Sequence, residues 1–167
     1  MSETSGRGNP PNISIRAISL SDSRLLLSWR NQPEVRRWSR NVNEIEFDTH
    51  DKWFDDWISG QSQKGFFFII EHLGSPVGMI RFDLKTNKSF EVSILVESSF
   101  QGKGIAKAAI RASINELMFE FEEVTVLASI HEKNVPSIEL FKKLDFEHTG
   151  KSGNFLEFSR DFRREDF

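Results

Sequence analysis

One stretch constrains the fold more than any other: residues 89–121, SFEVSILVESSFQGKGIAKAAIRASINELMFEF. It opens with a Val- and Ile-rich run that predicts a strand over 89–97. A loop with two glycines follows. Ala106, Ala109, Ile110, Ser113, Ile114, Leu117, Met118 and Phe121 then recur at three- and four-residue intervals, the periodicity of one helix face. A further strand is predicted over 124–130. Strand, long helix and strand in this order predict a right-handed crossover between parallel strands.

The loop at that junction has its own chemistry. Exposed N–H groups at a helix start, together with the helix dipole, favour an anion. Gly102 and Gly104 permit positive φ and close approach of the backbone to a phosphate, while Lys103 and Lys107 add charge. A plain Gly-rich turn has the same composition, so the loop alone leaves both readings open. Two other phosphate loops fit poorly. A Walker loop needs a hydroxyl after Gly-Lys, and the Gly-Lys here is followed by Gly104 and Ile105. A dinucleotide fingerprint needs a third Gly or Ala where Lys107 stands, and a buried parallel strand rather than a meander before it.

Elsewhere the pattern predicts a strand over 13–19, then a helix capped by Ser21 or Asp22 that carries Leu25, Leu26, Leu27 and Trp29. Pro33 starts a short helical piece. A helix over 49–59 places Trp53, Phe54, Trp57 and Ile58 on one face and stops at Gly60. Strands over 66–71, 77–83 and 89–97 form a meander joined by the turns LGSP and TNK. After the crossover comes a helix over 136–144 with Pro136 in its first turn, then strands over 146–149 and 155–162. The expected fold is α/β (α+β): a mixed sheet of about seven strands flanked by about four helices. It occupies residues 13–167 as a single domain behind a polar lead-in, 1–12, expected to be disordered.

Composition narrows the function. The chain has 167 residues, no Cys, a net charge of −3, 16 Phe, four Trp and no Tyr. Without Cys there is no disulfide, thiolate metal site or thiol nucleophile, and no metal is expected. The negative balance argues against nucleic acid as partner. No run reaches the roughly 18–20 apolar residues of a membrane span, and the polar N-terminus lacks the apolar core of a secretory leader. A cytoplasmic protein without a membrane partner is expected.

Residues 101–106, Gln-Gly-Lys-Gly-Ile-Ala, resemble the (Arg/Gln)-x-x-Gly-x-(Gly/Ala) signature of the GNAT superfamily of N-acetyltransferases. Downstream, Asn134, Ser137, Phe141 and Phe146 fall as in its Asn-x-x-Ser-x-x-x-(Tyr/Phe)-x-x-x-Gly-Phe segment, with Asp145 in place of the Gly. The order of elements matches over about 13–162. The resemblance implies acetyl-CoA as acetyl donor and no metal. It implies that the strand Ile94, Leu95 and Val96 takes the pantetheine arm, chiefly through the backbone of Ile94 and Val96. The amides of Gln101, Gly102, Lys103, Gly104, Ile105 and Ala106 would take the pyrophosphate. Asn134, Ser137 and Phe141 would lie beside the pantetheine and thioester.

Two positions depart from the family. Many relatives hold a Tyr acid where this chain has Phe141. Relatives often keep a Glu where Ser129 stands. The base is therefore unassigned, with Glu91, His50 and His131 as candidates. His is attractive because its pKa lies near neutrality.

The N-terminal third shapes the acceptor site in this family. Trp29, Arg30 and Asn31, with Pro33, Val35, Arg36, His50 and Trp53, resemble a subgroup that acetylates nucleotide-linked amino sugars of nonulosonic (pseudaminic or legionaminic) acid pathways; residues 77–83 resemble it too. Arg30, Arg36 and Arg37 can meet a diphosphate through bidentate hydrogen bonds, and Trp faces can stack on a sugar or base. Core packing is the competing reading for the tryptophans. A protein N-terminus is the alternative acceptor, and a non-catalytic acetyl-CoA-binding module is the alternative to an enzyme. The oligomeric state is not specified by the sequence.

Overall fold

The computed structural model describes residues 11–60 and 65–167; most of the expected lead-in, residues 1–10, lies outside them. Seven strands form one sheet in the order β1-β2-β3-β4-β5-β7-β6. They are β1 (Ile13–Ala17), β2 (Gly65–His72), β3 (Ser75–Thr86), β4 (Ser89–Val96), β5 (Glu123–His131), β6 (Glu147–Ser152) and β7 (Phe155–Arg163). The helices are α1 (Ser23–Arg30), α2 (Pro33–Arg36), α3 (Phe47–Ile58), α4 (Ile105–Glu120) and α5 (Val135–Lys143). All pairs are antiparallel except β4 with β5, which the crossover through α4 makes parallel. Every expected element is present. The bounds move by a few residues, and β1 ends at Ala17 because residues 20–22 turn as a 3-10 helix.

Two apolar clusters sandwich the sheet. On one face, α4 and α5 bury Ile105, Ile110, Ile114, Leu117, Ile138 and Phe141 against Ile80, Phe82, Phe90, Val126 and Phe158. On the other, α1 and α3 press Leu26, Trp29 and Phe54 onto Phe67 and Ile69. Each such large side chain contributes about 1.5–3 kcal/mol by leaving water, so the two clusters fix both helix layers to the strands. The front layer ends over β4; α1–α3 leave the same face of β5 and β7 to a loop.

The entry into α1 departs from expectation. Asp22 stands at the N-cap position, yet its carboxylate accepts from Ser19 N at 2.7 Å and from both ends of the Arg16 guanidinium at 2.8 and 2.9 Å. Arg16 also donates from Nε to Glu71 at 2.8 Å. Asp22 is buried, and Arg16 holds its carboxyl below the usual range. The pair ties β1, β2 and the start of α1 together. In the middle of the sheet, Gly78 lets β3 approach β4: a Cβ there would lie 2.2 Å from the Leu95 carbonyl oxygen.

Candidate functional site

The strands β4 and β5 run together for only three residue pairs, Ser89–Thr125, Phe90–Val126 and Glu91–Leu127. Beyond Glu91 they part, although each continues, β4 to Val96 and β5 to His131. A splay this long leaves an unpaired edge inside the sheet, and buried backbone polar groups demand partners. Which amides face the gap follows from the ladder on the other side. Glu97 N donates to the Val77 carbonyl at 2.8 Å, so odd-numbered residues of β4 bond to β3. Alternation turns the backbone of the even residues away from β3: the Val92 N–H closes the last rung to β5 beside the Glu91–Leu127 pair, and the Val92 C=O with the N–H and C=O of Ile94 and Val96 face the gap. Gln101 agrees, since its Nε2 donates to the Val96 carbonyl at 3.0 Å. Leu95 is a correction to the sequence reading: its backbone faces Met79 across the β3–β4 ladder and its side chain packs in the front cluster, so it offers no amide to the gap.

At the open end of the gap the chain makes the glycine loop. Gly102 and Gly104 adopt φ of 73° and 77°, the left-handed region where a Cβ is unfavourable. Space is no obstacle at 104, where the nearest atom to an added Cβ is Pro11 Cδ at 3.9 Å. Gly104 is the N-cap of α4. Among the described residues no side chain caps that helix, and its first turn holds no acidic residue, which leaves its first amides for another acceptor. Residues 101–104 are exposed, Ile105 anchors the helix start in the core, and Lys103 Nζ lies 5.1 Å from the Phe100 ring. Gap and loop together form a continuous backbone-lined track at the end of β4.

The Asn134 segment makes structural contacts of its own. Asn134 caps α5, its side chain accepting from Ser137 N at 3.5 Å. Phe141 is buried in the core, its ring edge-on to Phe146 at 4.9 Å. The place of a Tyr acid is thus filled by a packed hydrocarbon ring.

Several residues expected to meet the acceptor are also held elsewhere. Trp29 is 1% exposed and donates from Nε1 to Glu97 at 2.5 Å, which joins α1 to the end of β4. Asn31 uses its whole amide on Ile45, donating to its carbonyl and accepting from its N–H, both at 2.9 Å. His50 is buried; its Nε2 donates to the Ser23 carbonyl at 2.8 Å, its ring stacks on Phe54, and burial lowers its pKa. It is a neutral tie between α1 and α3, out of solvent, and not a base for a substrate. Arg30, which reaches the Asn41 carbonyl at 2.8 Å, and Trp53, covered by Arg81 at 5.2 Å, remain partly exposed. Arg37 stacks over Trp38 at 4.7 Å instead of joining them.

Of the other candidate bases, Glu91 lies at the apex of the splay and pairs with Lys85 at 3.2 Å. His131 stands at the end of β5 between the rings of Trp38 and Phe155, each 5.4 Å away. Its Nδ1 accepts from Lys133 N at 3.2 Å, which places the proton on Nε2 and occupies the lone pair a base would use.

A carboxylate absent from the sequence reading appears here. Antiparallel pairing of β5 with β7 sets Glu157 opposite Ser129, and Ser129 Oγ donates to Glu157 Oε1 at 2.9 Å. Arg40 donates to Ser129 Oγ at 2.6 Å, lies 3.4 Å from Glu157 and stacks over Phe155 at 4.4 Å. The group occupies the β5 limb of the splay. Only the strand register brings 129 and 157 together. Among the described residues no His, Cys, Asp and Glu cluster could hold a metal ion, and no helix is long and apolar enough to cross a membrane.

Comparison with known proteins gives these features a context. The model of a family described as the acetyltransferase (GNAT) domain matches residues 12–147. An uncharacterized protein of Methanocaldococcus jannaschii is 26% identical over 148 residues, covering 86% of this chain and 30% of that protein; the chain spans less than a third of that relative. The crystal structure of a domain from the same organism has a TM-score of 0.78 at 24% identity, covering 90% of this chain and 99% of the other. An aminoglycoside acetyltransferase in complex with coenzyme A has a TM-score of 0.75 at 18% identity, covering 92% and 96%. At these identities the two solved structures speak for the fold.

Proposed function

The chain belongs to the acetyltransferase (GNAT) domain family, and from that membership we propose how it works: it moves acetyl from acetyl-CoA to a primary amine across the gap between β4 and β5. The unpaired edge of β4, continuous with an uncapped helix start, carries this reading. The pantetheine amides add to the edge as a strand would. The amides of residues 102–106 hold the pyrophosphate, helped by the α4 dipole and Lys103. Gln101 releases the Val96 carbonyl as the arm enters.

The amine nitrogen attacks the thioester carbon, the C–S bond breaks with its electron pair going to sulfur, and the nitrogen loses a proton. Charge that grows on the carbonyl oxygen meets a backbone N–H of Ile94 or Val96, a fixed donor in a dry slot. Glu157, steadied by Ser129, receives the amine's proton directly or through one water. With no Tyr in the chain and Phe141 in the core, the leaving thiolate takes a proton from water or the one the amine releases.

For the acceptor we propose a nucleotide-linked amino sugar. The resemblance of residues 27–36 and 77–83 supports it, as do the partly exposed arginines beside β4; a peptide N-terminus is the competing acceptor. Thiol release from acetyl-CoA is the test, measured with 4-amino and other UDP-amino sugars, peptides with free N-termini and polyamines. Turnover on amino sugars is expected. Turnover on peptides alone removes the amino-sugar reading, and CoA binding without turnover on any amine removes the enzymatic one.

A further inference from the structure

The front face beside β4 carries three arginines from three different elements. Arg30 ends α1, Arg36 ends α2, and Arg81 lies on β3 opposite Ser93 of β4. Ser93 is one residue before Ile94, about 3.3 Å along the strand, so the cluster stands beside the upper part of the splay.

The three guanidiniums are not equally satisfied. Arg81 pairs with Asp83 at 3.0 Å and lies over Trp53, Trp57 and Phe67 at 5.2, 5.8 and 5.6 Å. Arg36 donates to the carbonyls of Asn31 and Val42 at 3.0 and 3.2 Å and meets the exposed Glu44 at 3.6 Å. Arg30 meets no carboxylate among the described residues. Its Nη2 donates to the Asn41 carbonyl, while its Nη1 is buried with no hydrogen-bond partner among the described residues. Burial first, then the charges of Arg36 and Arg81, lower its pKa below that of a free guanidinium.

A buried, unpartnered N–H on a cation costs free energy, and two neighbouring like charges add to that cost. One oxyanion removes both penalties, because a guanidinium presents a fork matched to carboxylate or phosphate oxygens. Solvent reaches the cluster at Arg36 and Arg81, whose side chains are each 23% exposed, while Arg30 Nη1 lies beneath the surface. The aromatic rings around Arg81 hold that guanidinium in place.

We propose that Arg30, Arg36 and Arg81 form an anion subsite that binds a phosphate or carboxylate group carried by the acceptor amine, which Arg30 meets by turning its unpartnered Nη1 outward. This rests on the acetyltransferase reading for the word acceptor; the anion site itself stands on the geometry. The acceptor is then an anionic amine, and its charge rather than its ring or chain fixes it on the front face.

Two measurements test it. The first uses inorganic pyrophosphate as probe, with thermal unfolding of the wild type, Arg30→Met, Arg30→Lys and Gly104→Val. Pyrophosphate also suits the glycine loop, so Gly104→Val isolates the front site. A stabilising shift that survives in Gly104→Val and disappears in the Gly104→Val/Arg30→Met double variant is expected; disappearance in Gly104→Val alone overturns the subsite. Arg30→Lys keeps a charge at the same place. It guards against a folding defect from loss of the Asn41 contact, and it should weaken the shift without abolishing it.

The second measurement compares amines bearing a phosphate, a carboxylate or no anion. Arg30→Met should raise KM at least about tenfold for the anionic amine class that the enzyme uses, with kcat little changed. A KM change equal for anionic and uncharged amines overturns the proposal, as does no change for any. If no amine is turned over, the acetyltransferase reading fails while the pyrophosphate shift still decides the subsite.

Discussion

The two sides of the splay are built from different materials. Along β4 and the loop to α4 the usable groups are backbone amides, set by strand register and by two glycines with positive φ. Across the front face the usable groups are side chains on α1, α2, β3 and β7 whose positions depend on packing and on a loop. A backbone track tolerates many side-chain identities but almost no change in chain geometry. The front face behaves in the opposite way, so substitutions should sort cleanly between the two.

The largest effect is expected where geometry is disturbed on the backbone side. Gly104→Val forces a β-branched residue into left-handed φ at the helix start and should weaken CoA binding on the order of 100-fold, about 2.7 kcal/mol. Titration calorimetry checks this, with circular dichroism to confirm that the fold persists. Comparable binding in the variant would break the distinction between the two sides. On the side-chain side, Glu157→Gln should lower kcat by about 100-fold at unchanged CoA affinity, read from the pH–rate profile as well as the plateau. An unchanged profile would return the base to His131 or Glu91.

Smaller effects concern stability. Asp22→Asn removes the carboxylate that Arg16 grips and should cost about 2–3 kcal/mol. The wild-type contribution also has a sign in pH. Asp22's folded pKa is lowered, so its stabilisation is complete above the unfolded value of about 3.9. It is lost as pH falls through the folded value. His50 acts through the other charge type but in the same direction. Its folded pKa is lowered by burial, so the unfolded chain takes up a proton first. Stability should fall as pH drops below about 6.5. His50→Phe should remove that dependence at a cost of about 0.5–1.5 kcal/mol from the lost hydrogen bond to the Ser23 carbonyl, with KM and kcat nearly unchanged. Urea unfolding between pH 5 and 8 measures both the slope and the cost.

The same division explains what could be read from the sequence. The α4 face was legible because its apolar residues repeat at helical spacing, and the loop because residues 101–106 carry the family signature at a strand-to-helix junction. The crossover then forced β4 and β5 to be parallel. Register was not legible. Adjacent residues of a strand point their amides in opposite directions, so only the family resemblance set Ile94 and Val96 apart from Leu95, and the Glu97 bond to Val77 supplies the physical reason. Glu157 was missed because 28 residues separate it from Ser129 and only the β5–β7 pairing brings them together. Trp29, His50 and Phe141 were read as site residues from their types and spacing. An aromatic face on a helix does not reveal whether it meets the core or a groove, and all three are buried. Family membership carried the chemistry further than the residues alone could.

The most direct measurement is an amide-resolved NMR titration of the labelled protein with CoA. The largest shifts are predicted at Ile94, Val96 and residues 102–106, with Leu95, bonded toward Met79, moving far less. Equal shifts along consecutive β4 residues, or shifts confined to the front-face arginines and Trp53, would contradict a backbone track for the donor.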